Sequence, residues 1–257
     1  MFIKNFSSHL KYIFTEFMYL MKVFRFDRNL RLLTLSISIK FLIDSGFRNI
    51  IYRKTFNNQK NYFLKLMKNN LTLTNDWFSN NITTWDAIFK KHKLKNIQPK
   101  ILEIGSYEGC SAVFFLNYFK NSEVTCIETF KGSDEHFKID FAKIKKNFFN
   151  NTKKFQKRID LYEGTSEHFF NSINTRKNYD LIYIDGSHHY DDVIQDAYNS
   201  FNVLNKNGII IFDDFLKKYY QDLTKDPILA VLNFINQHKK DIKVINVGYQ
   251  IIIKKNI

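Results

Sequence analysis

Proline and cysteine are nearly absent from this chain of 257 residues, with two of each, and glycine is sparse at eight. That scarcity excludes a collagen-like chain or a Pro/Gly-rich linker protein. Cys110 and Cys126 are too few for a disulfide framework and form no C-x-x-C metal pair. Such sparing use suits a reducing compartment, and a cytoplasmic location is expected. Long apolar runs are also missing. A membrane span needs ~18 or more apolar residues in a row, and the best candidates, 12–26 and 30–47, are broken by Glu16, Lys22, Arg25, Arg31, Lys40 and Asp44. No small-residue cleavage site follows a short apolar core near the start, so a secretory leader is not expected. Acid is scarce at the head of the chain. Residues 1–70 hold thirteen Lys/Arg against Glu16, Asp27 and Asp44, which accounts for +10 of the net +14.

What remains is ordinary for a globular protein, 44% hydrophobic and 25% charged, which argues against disorder and coiled coil. In the basic head, apolar residues recur at mixed three and four spacing (Tyr12, Ile13, Phe17, Leu20, Met21, Phe24), the pattern of a helix. Residues 1–74 therefore read as a basic helical N-terminal extension. It either packs on the main domain or on a second copy, giving a homo-oligomer, or lies as an amphipathic helix on an anionic membrane surface through residues 1–60. The membrane alternative makes the cytoplasmic protein peripheral.

From residue 100 the pattern changes. Short β-branched runs cover 100–105, 123–128, 159–164, 179–185, 208–214, 242–247 and 248–254, and helical stretches such as 109–119 and 193–204 lie between the first five. Strands alternating with helices predict a doubly wound, Rossmann-like α/β sheet of seven mostly parallel strands. The last two runs are joined too tightly for a crossover helix, so the final strand is expected to be antiparallel. In such sheets ligands sit at the carboxyl ends of the strands, and the residues closing each run are the candidates.

The first strand closes as Glu103-Ile104-Gly105-Ser106-Tyr107-Glu108-Gly109. Glycine lets backbone approach a ligand, and the following helix N-terminus favours an anion, though the spacing is neither a dinucleotide fingerprint nor a P-loop. The bland alternative is a tight strand-to-helix turn. Glu128 closes the second strand, 25 residues after Glu103, where an acid can accept hydrogen bonds from both ribose hydroxyls. Phe130 stands next to it and could flank an adenine. After the third strand, Thr165-Ser166 offers either a hydroxyl to an adenine edge or an N-cap to the next helix. Asp185, Asp213 and Asp214 close adjacent strands, a set of hard oxygen ligands that suits Mg²⁺. Their alternative role is loop solvation. His188, three residues past Asp185, titrates near neutrality and is a candidate general base.

In order and spacing, LEIGSYEG, IETFKGSDEH, EGTS, YDLIYIDGSHHYDDV, NGIIIFDDF and YQIIIKK resemble class I S-adenosylmethionine-dependent methyltransferases. The nearest subgroup is the small-molecule O-methyltransferases related to cephalosporin-hydroxylase and macrocin-type sugar methyltransferases. The resemblance covers residues 75–257 and implies an S-adenosylmethionine-binding domain there. It implies Glu103, Gly105, Ser106 and Gly109 at the methionine end of the cofactor, Glu128 at the ribose, Phe130 and Ser166 at the adenine, and Asp185 beside the methionyl group. In metal-dependent relatives Asp185, Asp213 and Asp214 would hold Mg²⁺. His188 matches by position a base that is usually lysine in catechol-type enzymes. The implied reaction is methyl transfer to a hydroxyl of a small molecule, with a sugar or glycan precursor as the first candidate. The rivals are a nucleic-acid methyltransferase using the basic head and a non-catalytic adapter anchored to a membrane by it. No N-P-P-Tyr tetrapeptide of the amine-methylating kind follows the fifth strand.

Overall fold

The computed structural model describes residues 2–48, 51–52, 55–132, 139–172 and 178–256. The strands are β1 (Ile101–Ile104), β2 (Val124–Glu128), β3 (Ile159–Glu163), β4 (Tyr179–Ile184), β5 (Leu204–Phe212), β6 (Ile242–Val247) and β7 (Ile251–Lys255). They form one seven-stranded sheet in the order β3-β2-β1-β4-β5-β7-β6. Strands β1 to β5 run parallel, and β7 is antiparallel to both β5 and β6. The tight turn around Gly248 therefore inserts the last strand between its predecessor and β5, so β6 becomes the edge.

The central strands β1 and β4 and the second half of β5 read as near-continuous apolar runs because both faces of the sheet are covered there, whereas the edge strand β3 is only partly buried. Side chains alternate across a strand. Leu102, Ile104, Ile182, Ile184, Ile210 and Phe212 join one core, under α9 (Tyr190–Val203), α10 (Pro227–Gln237) and the first two helices. Ile101, Leu181, Tyr183, Ile209 and Ile211 join the other, under α6 (Cys110–Tyr118) and α7 (Phe141–Thr152). Within the basic head, α1 (Phe2–Phe26) and α2 (Arg31–Ile43) bury Leu20, Val23, Leu30, Ile37 and Phe41 in the first core. Helix α3 (Asn57–Asn70) buries Phe63 and Met67 in the second, beside Trp85 of α4 (Ile82–Lys91). Leu94–Ile97 forms the short α5. No helix among the described residues is long and apolar enough to cross a membrane.

The link between the head and the sheet is polar. Buried Glu108 accepts from Thr74 N at 2.8 Å and from Asn147 Nδ2 at 2.7 Å, while Asn151 Nδ2 donates to the carbonyl of Glu108 at 2.9 Å. Helix α9 starts at Tyr190, three residues before the apolar periodicity that marks it in the sequence, and runs directly into β5.

Candidate active site

A cavity of about 1430 Å³ opens over the carboxyl ends of β1, β2, β4 and β5. A single small-molecule site usually occupies ~300–1,000 Å³, so this space has room for two reactants. One wall is made by strand ends, including Gly105, Glu128, Ser166, Asp185, His188, Asp213 and Asp214. The other is made by Ser8, His9 and Tyr12 of α1, by the segment around Asp76, Trp77, Asn80 and Asn81, and by Asn246, Tyr249 and Gln250 near the β6–β7 turn.

The β1 and β2 tips are joined through backbone amides. Glu128 Oε2 accepts from Tyr107 N at 2.7 Å and Oε1 from Phe130 N at 2.8 Å. Tyr107 and Phe130 both hold positive φ, 47° and 50°, a conformation that costs non-glycine residues energy and collects at functional sites. Gly105, at φ 85°, has no room for a side chain, since a Cβ there would lie 2.0 Å from the carbonyl oxygen of Asp185. That contact brings the β1 and β4 loops together.

Glu103, Ser106, Gly109 and Phe130 lie behind this wall. Glu103 precedes the strand tip and points into the layer beneath α6, where it accepts from Ser106 Oγ at 2.6 Å and Cys126 Sγ at 3.6 Å. Burial pushes its carboxyl up to about 7. A Cβ on Gly109 would meet Thr152 and Phe148 of α7, so this glycine makes room for helix packing. The ring of Phe130 packs on Phe148 and Phe149; its backbone N–H reaches the site. Thr165 and Ser166 divide the two roles open to them. Thr165 Oγ1 accepts from His168 N at 3.2 Å as the cap of α8 (Ser166–Ser172). Ser166 faces the cavity and bonds to Asp196, whose carboxyl burial pushes up to about 7. Residues 133–138 of the IETFKGSDEH motif fall outside the described residues.

At the β4 and β5 tips, side chains bond to one another. The Tyr183 hydroxyl lies 2.8 Å from Asp185 Oδ2 and bonds to Asp213 as well. The single hydroxyl hydrogen is shared between two carboxyls, an arrangement that favours a proton on one of them. Burial and mutual repulsion push both carboxyls up, Asp213 the further. Gln250 Nε2 donates to Asp213 at 3.0 Å, while Gln250 Oε1 accepts from Trp85 Nε1 at 2.7 Å. His188 Nε2 sits 3.1 Å from Asp214 Oδ2 and 3.9 Å from Asp185 Oδ1. Its ring stacks on Tyr219 with centroids 4.2 Å apart. The Tyr219 hydroxyl bonds to Asp214, which Lys217 Nζ approaches to 3.3 Å. Asp214 is the third strained residue of the rim, at φ 51°.

The three carboxylates converge as their positions at strand ends imply, and their chemistry suits a hard divalent cation. They do not form a ready ligand set: among the described residues no three His, Cys, Asp or Glu side chains are placed to share a metal ion. Tyr183, Gln250, Tyr219 and Lys217 take their oxygens instead. Sequence reading missed Tyr183, although the period of two puts it on the same side of β4 as Asp185. It also missed Asp196, one helical turn after Asp192. Trp85, Gln250 and Tyr219 reach the site only through tertiary contacts.

A family described as a methyltransferase domain matches residues 102–215. An uncharacterised protein of Acanthamoeba polyphaga mimivirus is 30% identical over 145 residues, which cover 55% of this chain and 60% of that protein. The fold is similar to that of a Bacillus cereus O-methyltransferase in complex with SAH (TM-score 0.51, 14% identity, 86% of this chain and 100% of that one). It is similar to that of TomG of Streptomyces achromogenes, an O-methyltransferase in complex with SAM and involved in tomaymycin synthesis (0.53, 10%, 81% and 96%). The MycE methyltransferase of mycinamycin biosynthesis, in complex with Mg, SAH and mycinamycin VI, also shares it (0.54, 16%, 78% and 54%).

Proposed function

We propose that the cavity binds S-adenosylmethionine and directs its methyl group to a hydroxyl of a small acceptor, a reading supported by the methyltransferase-domain match over residues 102–215. The observation that supports this most is the Glu128 carboxylate, held between the amides of Tyr107 and Phe130 on the cavity wall. Two hydrogen bonds from the backbone fix its orientation without using all its lone pairs, so it remains able to accept from two vicinal ribose hydroxyls.

When bound, S-adenosylmethionine supplies an electrophilic methyl on a cationic sulfur. Ser166 faces the nucleoside half, and Asp185, across the Gly105 contact, faces the charged half. Transfer breaks the sulfur–methyl bond, forms an oxygen–methyl bond and releases the acceptor's hydroxyl proton. The transfer needs acceptor oxygen, carbon and sulfur in line, so most of the rate comes from positioning. His188 takes the proton: Tyr219 stacks on the ring, and the imidazolium formed has the Asp214 carboxylate 3.1 Å from Nε2 to balance its charge. Asp185, Asp213 and Asp214 as placed do not fit a divalent cation such as the Mg of the MycE complex.

The far wall indicates the acceptor class. Asp76, Asn80, Asn81 and Asn246 offer amides and a carboxylate, and Trp77 and Tyr220 offer aromatic faces. That mixture suits a hydroxyl-rich molecule such as a sugar or glycan precursor. Calorimetry with S-adenosylhomocysteine tests the reading. Glu128→Ala should weaken binding tenfold or more, the cost of about 1.5–3 kcal/mol for losing hydrogen bonds to a charged group. Unchanged affinity would remove the ribose role.

A further inference from the structure

Helices α1 and α2 carry apolar side chains on their solvent faces as well as on the faces they bury. On α2, Thr34 (0% exposed) and Ser38 (1%) are buried, while Leu32, Leu35, Ile39, Leu42 and Ile43 are exposed, Leu32 at 85%. On α1, Leu10, Phe14 and Met18 recur every four residues as one exposed row. Ser38 Oγ donates to the Thr34 carbonyl at 2.7 Å, and buried Asp44 accepts from Val247 N at 2.9 Å and pairs with Lys40 at 3.1 Å. Apolar rows of this extent on a soluble surface mark an interaction site.

Charge identifies the occupant. The exposed charged side chains from Lys11 to Arg31 are Lys11, Lys22, Arg25, Arg28 and Arg31, all cationic. The acids of the same stretch are withdrawn: Glu16 and Asp27 are partly buried, and burial pushes the Glu16 carboxyl up to about 7. A symmetric contact with a second copy would set these cations against themselves. A nucleic acid would satisfy the cations and leave the leucines and isoleucines in water. Lipid phosphates beside acyl chains satisfy both.

We propose that the α1–α2 pair docks on an anionic lipid bilayer, with the apolar rows at the headgroup–acyl boundary and the basic side chains on the phosphates. The opposite side of α1 supplies Ser8, His9 and Tyr12 to the cavity. Docking therefore sets the cavity about one helix diameter, ~10–12 Å, from the lipid surface. The proposal holds whether or not the chain transfers methyl groups.

Co-sedimentation of the full chain with vesicles tests it. Vesicles of phosphatidylcholine mixed with phosphatidylglycerol should bind at least tenfold more tightly than phosphatidylcholine alone, and salt should weaken the binding. Lys22→Glu with Arg25→Glu should reduce it by about fivefold or more per position. Leu35→Ser with Ile39→Ser should abolish it, with helical circular dichroism and S-adenosylhomocysteine affinity matching the parent. Absence of vesicle binding, indifference to lipid charge, or full binding by the serine variant overturns the proposal. So does light scattering that shows a dimer broken by the serine substitutions, which would assign the face to a second copy.

Discussion

The two halves of the strand-end rim are built on different principles. At β1 and β2, backbone does the positioning: Gly105 admits the Asp185 carbonyl, and the amides of Tyr107 and Phe130 hold Glu128. At β4 and β5, side chains hold side chains, through Tyr183 between Asp185 and Asp213 and through Asp214 between His188, Lys217 and Tyr219. Backbone amides cannot titrate or change rotamer, so the first half is held in place by groups that do not depend on pH. The second is a crowd of desolvated acids whose arrangement depends on where protons and cations sit. That division suits a reaction in which one end of a ligand must be held still while a proton leaves at the other.

The comparison breaks most severely at Gly105. Gly105→Ala places a methyl against backbone at a positive φ, so neither partner can move aside cheaply. Loss of measurable S-adenosylhomocysteine binding is expected, with a lowered melting temperature. Normal binding would show that the β1–β4 contact is not what shapes the nucleoside end. In the second half, His188→Ala should lower kcat by about 10²–10⁴-fold while calorimetric cofactor affinity stays close to the parent. A comparable loss of affinity would mean that the histidine supports the pocket and not the proton transfer.

A smaller effect concerns the acid behind the first half. Burial raises Glu103 to about 7 in the folded chain, above its ordinary 4.5. Its contribution to stability is therefore complete below about pH 4.5 and is lost as pH rises through about 7. The loss is about 3 kcal/mol. Asp196 acts in the same direction. Chemical denaturation of the parent should show stability falling over that window, and Glu103→Gln should flatten the fall. An unchanged slope would place the titration elsewhere.

Much of this was legible in the chain itself. Buried parallel strands are near-continuous apolar runs, which makes β1, β4 and the end of β5 the plainest, and the carboxylates that end β2, β4 and β5 mark the rim. Strand order was only partly legible. The tight link near Gly248 implies an antiparallel pair, but the insertion of β7 between β5 and β6 follows from hydrogen bonding that no local pattern records. The orientation of Glu103 was not legible. It belongs to a motif that closes a strand, yet its position one residue before the tip turns it toward α6 and Ser106.

Local chemistry thus determined the element types, the acidic and glycine tips and the basic head, because periodicity, turn residues and charge act over a few neighbours. Tertiary structure alone decided which of those residues share a cavity. Trp85 and Gln250, 165 positions apart, meet at 2.7 Å beside Asp213. It also decided which side of α2 faces water: Thr34 and Ser38 lie inward with Ile37 and Phe41, while Leu32, Leu35 and Ile39 lie outward, a choice that no local pattern records. Such choices depend on long-range packing and desolvation, which exist only once the chain has closed on itself.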